Sequence, residues 1–580
     1  MRAISLCSGI FTGVLLASVG CSNSSSGPIG SSGAGSSSGG SKTSAGATST
    51  SGSQASGGST AGSSASAGSA PLGGAAAIGG NTGGGVGGAS ATGGSATTGG
   101  TTSGGAASGG ATSGGTSSGG TGGVTVKLDA VHQTIQGFGI NDALVSSSWG
   151  TTGLDYLFGT TGKDAIGLSI MRIGMSPEGD LAGTNAANLS YAKSHNVRLI
   201  GSCWSPPASC KSNGRTDQGG YLLNTGTCFA DWAKKIVDFA KNQGLYAMSI
   251  GNESDFASCA AKGPPCTTDY VTTTYTAKQM VEWLKFVGPK LQDAKIKVIA
   301  PEASEWIHAW SNISATGSTV TGHPNSSDPL NCGCYANVIS ADKEKTCAQT
   351  CLDGNGYDYG HWMWKDQVAW KAFDIFGVHE YDSQIAFAWP SDVNNGKPDH
   401  EVWQTEMSGV RYWPQEGPSS DIINGVAVAG WIHSALTIGE ASAWLWWWYQ
   451  AYDQNDNEGL AQNKNAMSSS PLNKRYYVLG NYSKFVRPGY TAIEVGGNES
   501  ADVLLSAFKG TDATVIVAVN KGSTATSVPI RFSGGTAPAS CTPNVTSATD
   551  NLTAGTAVAI MGGALNAMLP SMTVTSFVCK

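Results

Sequence analysis

The stretch Val197-Arg-Leu-Ile-Gly-Ser-Cys203, taken together with the fifty residues downstream of it, decides the fold. It is a short, mostly apolar run of the kind that forms a strand buried on both faces. After it, Phe229, Trp232, Ala233, Ile236, Val237 and Ala240 recur at i, i+3, i+4 and i+7. That spacing predicts an amphipathic helix, and Gly244 is placed to end it. A second apolar run, Tyr246-Ala-Met-Ser-Ile250, comes next. Strand, helix and strand in this order form a parallel crossover unit.

The unit repeats in both directions. Upstream lie Ile135-Gln-Gly-Phe-Gly139 and Leu168-Ser-Ile-Met-Arg-Ile173. Downstream lie Lys297-Val-Ile-Ala300, Ile375-Phe-Gly-Val-His379, Val402-Trp-Gln-Thr-Glu406 and Ala443-Trp-Leu-Trp-Trp-Trp448. Helical patterns recur near Met280, Trp283, Leu284 and Val287, and near Val426, Ala429 and His433. Eight buried strands alternating with helices predict an α/β fold, a (β/α)8 barrel. After Ser470 the pattern changes to short strands with turns between them, including Val503–Phe508, Thr514–Val519, Val528–Phe532 and Met572–Val578. This predicts an all-β module, and Val124-Thr-Val-Lys-Leu128 is a strand that can pair with it. The division expected is therefore a signal segment at 1–21 and a linker at 22–123. A strand joining the all-β module at 124–134, the barrel at 135–469 and that module at 470–580 complete it.

Composition supports that division. Of the 82 glycines among 580 residues, 35 lie between Ser22 and Gly123, a stretch whose one charged residue is Lys42 and which has no aromatic residue. Such a segment cannot bury enough apolar surface to offset its chain entropy and is expected to be disordered. As a flexible tether its span would be roughly 50–60 Å. The remaining 457 residues carry 31 basic and 40 acidic side chains, a net of −9. An acidic domain does not suit a polyanion, so no nucleic-acid partner is expected. No run reaches the roughly 18 apolar residues of a membrane span.

Arg2 and the apolar run Ile10 to Val19 have the form of an export signal. Ser18-Val19-Gly20-Cys21 resembles a bacterial lipoprotein cleavage site, which would place a lipid anchor on Cys21 at the cell surface. Ordinary secretion is the simpler alternative. Cysteine usage agrees with export. Beyond Cys7 and Cys21 eleven remain, an odd number. Cys203, in a buried strand, is nominated as the free thiol, with Cys259/Cys266 and Cys541/Cys579 as local or terminal staples. The spacing of Cys332, Cys334, Cys347 and Cys351 is a poor zinc pattern. No metal and no cofactor are expected.

In a barrel of this kind catalytic side chains project from the C-terminal ends of strands. Two strands lead into a glutamate: Ser249-Ile-Gly-Asn-Glu253 and Trp403-Gln-Thr-Glu406. They follow the fourth and seventh strands, on opposite sides of the barrel mouth. Two carboxylates facing each other across a cleft are what cleavage of a glycosidic bond requires. Asn252 stands beside Glu253. Trp204-Ser-Pro-Pro207 follows the third strand, and Trp306, Trp310, Trp413, Trp446, Trp447 and Trp448 lie near other strand ends. Indole faces can stack on the apolar faces of sugar rings, although core packing accounts for many tryptophans. His379 and Tyr381 end the sixth strand, where either can hydrogen-bond a nucleophile or a sugar hydroxyl. Arg172 on the second strand needs an anion, and Glu406 is a suitable one.

These stretches together resemble glycoside hydrolase family 30. The motifs are Ile135-Gln-Gly-Phe-Gly139, Arg172-Ile-Gly174, Trp204-Ser-Pro-Pro207, Asn252-Glu253, His379-Glu-Tyr381 and Thr405-Glu406. Asn481-Tyr-Ser-Lys-Phe-Val-Arg-Pro-Gly489 and Leu505-Ser-Ala-Phe-Lys509 are similar to the C-terminal region of its bacterial glucuronoxylan-type endoxylanases. The resemblance implies that the all-β module is a C-terminal β-sandwich which the first strand joins, with Glu253 as general acid/base and Glu406 as nucleophile of a retaining double displacement. It also implies that Asn252 binds a sugar 2-hydroxyl. Two departures stand out. Ser254 follows Glu253 where the family often has Pro. The region Trp448-Tyr-Gln-Ala-Tyr-Asp-Gln454 lacks the Arg with which glucuronoxylan-specific members hold glucuronate. The acidic loop Asp453 to Glu458 would repel a uronic acid, so strict glucuronate dependence is not expected.

The expected function is therefore that of a secreted or surface-anchored, monomeric endo-β-1,4-xylanase. The alternatives are a β-1,6-glucanase or β-1,6-galactanase of the same family, an exo-acting glycosidase on glycolipids, and a carbohydrate-binding surface protein without turnover.

Overall fold

The computed structural model describes residues 123–144, 147–255, 271–310, 355–381, 386–409, 421–450, 459–461, 472–497 and 501–580. The signal segment, the linker to residue 122, Cys21, Cys259, Cys266, the cluster Cys332 to Cys351, Trp413 and the loop 453–458 lie outside the described residues.

Strand β1 is Val124–Thr134. The barrel strands are β2 (Gly137–Asn141), β3 (Ile170–Met175), β4 (Arg198–Cys203) and β5 (Ala247–Ser249). They continue as β6 (Lys297–Ala303), β7 (Ile375–His379), β8 (Glu401–Glu406) and β9 (Ala441–Trp446). All are parallel to their neighbours, and β2 pairs with β9 to close the barrel. Between them run helices α1 (Gly150–Phe158), α2 (Ala186–Ser194), α3 (Cys228–Gln243) and α4 (Ala277–Asp293). The short α5 (Trp306–Ala309), α6 (Tyr359–Lys365) and α7 (Gln367–Trp370) precede α8 (Ile422–Thr437).

The helices form where the spacing predicts them. Helix α3 buries Trp232, Ala233, Ile236 and Ala240, and Gly244 ends it in the left-handed conformation at φ 68°. Helix α4 opens on a reciprocal capping box between Thr276 and Gln279, which satisfies two end N–H groups. It buries Met280, Trp283, Leu284 and Val287. The Trp283 indole also donates to the Ile250 carbonyl at 3.0 Å, tying the helix to the segment that carries Glu253.

Inside the barrel a floor of Ile170, Ile200, Ile299, Ile375, Trp403 and Leu445 is sealed from solvent. Side chains alternate along a strand, so residues two further on share the floor's face. Arg172 and Ser202 stand in this way above Ile170 and Ile200. Between floor and rim on β7 only glycine fits, because a Cβ on Gly377 would lie 2.5 Å from Ile299 Cγ2.

The C-terminal region begins with β10 (Trp448–Gln450), β11 (Gly459–Ala461) and helix α9 (Lys474–Ser483). It continues with β12 (Thr491–Gly496), β13 (Val503–Lys509), β14 (Thr514–Asn520), β15 (Thr526–Ser533) and β16 (Ser540–Thr546). Strands β17 (Thr553–Ala554), β18 (Val558–Ala559), β19 (Ala564–Leu569) and β20 (Thr573–Cys579) complete it. A β-sandwich side domain joined by the first strand was the expectation. The C-terminal strands form such a β-rich region, hydrogen-bonded as ten strands in which β1 bridges β12 and β15. Both faces are used. On β14, Ile516 and Ala518 join the sheet's own core, whereas Val515, Val517 and Val519 join the barrel's core. Helix α8 is buried almost all round for this reason, with barrel strands on one side and this sheet on the other.

Disulfides link Cys541 to Cys579 and Cys210 to Cys228, and Cys203 is a buried free thiol. Among the described residues no helix is long and apolar enough to cross a membrane.

Candidate active site

Two backbone irregularities aim the acidic residues. Between β7 and β8 the register slips so that His379 lies opposite Glu406, with Thr405 as the extra residue. Between β6 and β7 it slips again, so that Glu302, at φ 55°, is the extra residue. A bulge bends a strand locally and redirects its side chains. Here each one turns a glutamate into the barrel mouth. Glu253 lies beyond β5 at φ 45°, and its N–H donates to the Glu302 carbonyl at 3.0 Å. The fifth strand was expected to end at Ala300. It runs on through Pro301 and Glu302 to Ala303, and so carries a third buried carboxylate into the site.

Arg172 organises the cluster from below. It is wholly buried, with Nη1 donating to Glu406 Oε2 at 2.6 Å and to Asn141 Oδ1 at 3.0 Å. Its Nη2 donates to Asn252 Oδ1 at 2.5 Å and lies 3.2 Å from Glu302 Oε2. With its oxygen held by Arg172, Asn252 is left with its amide nitrogen to donate elsewhere. Burial disfavours the guanidinium's charge, but Glu302 and Glu406 outweigh it and strengthen its hold on the proton. The Ser202 hydroxyl donates to Glu302 at 2.5 Å. Burial works against the Glu302 charge too, yet Arg172, His379 and Ser202 bring its pKa down to about 2.

His379 stands between the carboxylates. Its Nδ1 lies 3.0 Å from Glu253 Oε1 and 3.9 Å from Glu406 Oε1, and its Nε2 lies 4.0 Å from Glu302 Oε1. Burial alone would discharge the ring, but Glu406, Glu253 and Glu302 push its pKa up to about 10. The Tyr381 hydroxyl donates to Glu406 Oε1 at 3.1 Å. Glu253 is raised above the ordinary glutamate value, first by burial and then by the charge on Glu406, while the His379 hydrogen bond opposes the rise.

Oxygens of Glu253 and Glu406 and a ring nitrogen of His379 lie within 4.8 Å of one another. A cation could fit that spacing, but Arg172 and a charged His379 already supply positive charge there. Both glutamates keep an edge in solvent, with side chains 13 % and 6 % exposed, whereas His379 and Glu302 are fully covered. The site therefore presents a carboxyl that favours its proton and a carboxylate held by a guanidinium, aimed at one point.

The aromatic residues divide by depth. Trp306, Trp310 and Trp446 do not reach the mouth. They are core, with Trp310 stacked on Phe376 at 4.9 Å and Trp446 beside Trp444. Trp204 is nearly covered and lies 6.4 Å from Trp447, with the Arg172 guanidinium 5.1 and 6.0 Å from the two indoles. Trp447 and Trp448 are half-buried and stack on each other at 5.5 Å. The last barrel strand ends at Trp446, and this break leaves the next two indoles at the rim. His379 has carboxylate neighbours in place of an open face.

A closed parallel barrel with two facing glutamates at its C-terminal rim, braced by a buried arginine, is the constellation of a (β/α)8 glycosidase. Comparison with known proteins shows what the chain is similar to. The chain is 27% identical over 466 residues to glucuronoxylanase XynC of Bacillus subtilis (strain 168), covering 78% of this chain and 91% of that one. It is 26% identical, with a TM-score of 0.58, to the glycoside hydrolase family 30 subfamily 8 xylanase Xyn30A from Clostridium acetobutylicum, covering 79% of this chain and 99% of that one. A family 30 endoxylanase from Clostridium papyrosolvens C71, 24% identical with a TM-score of 0.56 over 79% of this chain and 100% of its own, shares the fold. No family model matches the chain. The chain resembles glycoside hydrolase family 30, and within it the bacterial glucuronoxylan-type xylanases.

Proposed function

We propose that this chain is an exported retaining endo-β-1,4-xylanase, acting on xylan or glucuronoxylan without strict need of glucuronate. The observation that carries the reading is the glutamate pair, whose oxygens approach within 4.8 Å. Retaining glycosidases hold their carboxyl groups about 5–5.5 Å apart, whereas inverting ones need about 6.5–9.5 Å to admit a water. In this reading Glu406 Oε attacks the anomeric carbon while Glu253 gives its proton to the leaving oxygen. Glu253, now a carboxylate, then takes a proton from water, which attacks the glycosyl ester and frees Glu406. Asn252 donates to the sugar 2-hydroxyl, and Trp447 and Trp448 offer the stacking surface. The names of the relatives support a xylan backbone as substrate. The absence of Arg from residues 448–454 supports independence from glucuronate.

The two disulfides among the described residues suit an oxidising compartment, and Cys21 is the proposed lipid anchor, with the Ser/Gly-rich tract as tether. The test is digestion of arabinoxylan, glucuronoxylan, β-1,6-glucan and β-1,6-galactan, with products sized. A ladder from both xylans, without regular glucuronate spacing, supports the proposal. Products from the β-1,6 polymers alone refute it in favour of the sister activity. Turnover that survives Glu406→Ala refutes the assignment of the nucleophile.

A further inference from the structure

Resting on that reading of the site, we infer that Glu302 is a positioning residue whose buried charge balances the catalytic cluster, so that His379 stays protonated beside Glu253 and Glu253 keeps the proton it must deliver. Arg172, Glu253, Glu302, His379 and Glu406 share the barrel mouth, with the Tyr381 hydroxyl donating to Glu406. Glu302 is sealed from solvent and never meets substrate. Its side chain is held by Ser202 at 2.5 Å, lies 3.2 Å from Arg172 and faces His379 Nε2 at 4.0 Å. Its backbone carbonyl holds the Glu253 N–H. From β4 the neighbouring Cys203 thiol is pushed upward by burial and by Glu302, so it adds no charge. On the Glu253 side the next acid is Asp255, which has its own partners in His308 at 2.5 Å and Ser304.

The charges then sum in one way. Arg172 and His379 are cations, and Glu302 and Glu406 are anions. A neutral cluster needs Glu253 to hold its proton. During the first half-reaction Glu406 becomes a neutral ester as Glu253 surrenders its proton and becomes an anion. The sum is zero again, and hydrolysis reverses both changes. Without the Glu302 charge the same cluster carries an excess positive charge. It relieves this by releasing a proton from Glu253 or from His379. A single nearby charge moves a pKa by about 1–3 units.

The test is Glu302→Gln in the full chain, with Glu302→Asp as the charge-preserving control. The alkaline limb of kcat/KM on xylan should move to lower pH by about 1–3 units in E302Q. In E302D it should stay near the wild-type position even where the rate falls. NMR of the His379 ring gives a readout that needs no substrate. Its proton should persist well above neutral pH in the wild type and be lost at lower pH in E302Q. A lower rate with unmoved pH limbs and an unmoved His379 titration would show a merely structural residue and overturn the inference. The wild-type spectrum decides even where E302Q does not fold, because a His379 that titrates near the ordinary 6.5 also overturns it. Failure of the wild type on all four polysaccharides would sink the proposed function and leave the His379 titration to judge Glu302.

Discussion

Replacing Glu253 by Gln removes a proton donor but no charge, which makes it a sharp probe of the site. In the neutral cluster Glu253 carries its proton, so a carboxamide of the same shape leaves the sum unchanged. Its oxygen can still accept from His379 Nδ1, 3.0 Å away. Stability in E253Q should stay within about 1 kcal/mol of wild type, the worth of one ordinary hydrogen bond. Glu406→Gln is the contrasting case. It removes an anion 2.6 Å from a guanidinium that is fully buried. Deleting one partner of a buried ion pair costs about 3–5 kcal/mol. Glu302, still 3.2 Å from Arg172, holds the loss near the lower figure. Turnover should separate the two differently. E253Q should lose roughly 100- to 10,000-fold on xylan, the usual worth of general acid–base help. It should lose less on an aryl xyloside whose leaving group departs without a proton. E406Q should fall to background on both. Thermal melting by circular dichroism and reducing-sugar release measure these quantities. An E253Q that melts as low as E406Q, or that keeps wild-type turnover of xylan, would refute the charge assignment.

The remaining expectations concern other parts of the molecule. Trp447→Ala should raise KM on xylan by roughly 2- to 10-fold, from about 0.5–1.5 kcal/mol of aromatic contact, with little change in kcat; an unchanged KM removes Trp447 from the binding surface. Asn481 is fully buried on α9 and donates to the Asn544 carbonyl at 3.0 Å and to Ser576 at 2.9 Å. Asn481→Ala should destabilise the chain by about 1–3 kcal/mol, because the groups it serves are left without a donor; an unchanged melting temperature would show that the sheet is held by other contacts. The Cys541–Cys579 bridge spans 38 residues, so replacing both by Ser should cost about 3–4 kcal/mol on chain-entropy grounds, read from the same melts. Stability should also report the cluster's charges. His379, held up to about 10, contributes fully below 6.5 and less as pH rises toward 10, whereas Glu302, held down to about 2, contributes above 4.5 and less as pH falls toward 2. Their combined contribution should therefore be greatest between pH 4.5 and 6.5, and in E302Q the decline on the acid side should be reduced.

The barrel was legible because its strands are covered on both faces, and continuous apolar runs such as Ile375–His379 can hardly be read otherwise. Glu253 and Glu406 were legible because each follows such a run within a few residues. Glu302 was not, although it stands in the same kind of place. Pro301 looks like a strand terminator, and the bulge that turns Glu302 inward depends on pairing with β7, more than 70 residues away. The only available signal was an acidic residue two positions past an apolar run. The depth of the tryptophans was hidden for a similar reason. In Ala443-Trp-Leu-Trp-Trp-Trp448 the break after Trp446 decides which indoles are core and which are rim, and that break comes from closure against β2. The partners of β1 within the C-terminal strands were also out of reach, since one of them is the parallel strand β15, some 400 residues later.

The two glutamates are chemically identical, so their different tasks come from what surrounds them. Glu406 accepts a hydrogen bond from the Arg172 guanidinium at 2.6 Å and one from the Tyr381 hydroxyl at 3.1 Å. Glu253 has no guanidinium. It has burial, the repulsion of Glu406 and one imidazole, and its pKa rises despite that imidazole. Environments that push two titratable groups apart assign acid and base. The asymmetry is built into the scaffold, since Arg172 reaches across the barrel from β3 to Glu406 on β8, while the Glu302 carbonyl on β6 holds the Glu253 N–H. A swap of roles would require Arg172 to move its bond from one glutamate to the other. Bonds to Asn141 and Asn252 and the contact with Glu302 hold it where it is.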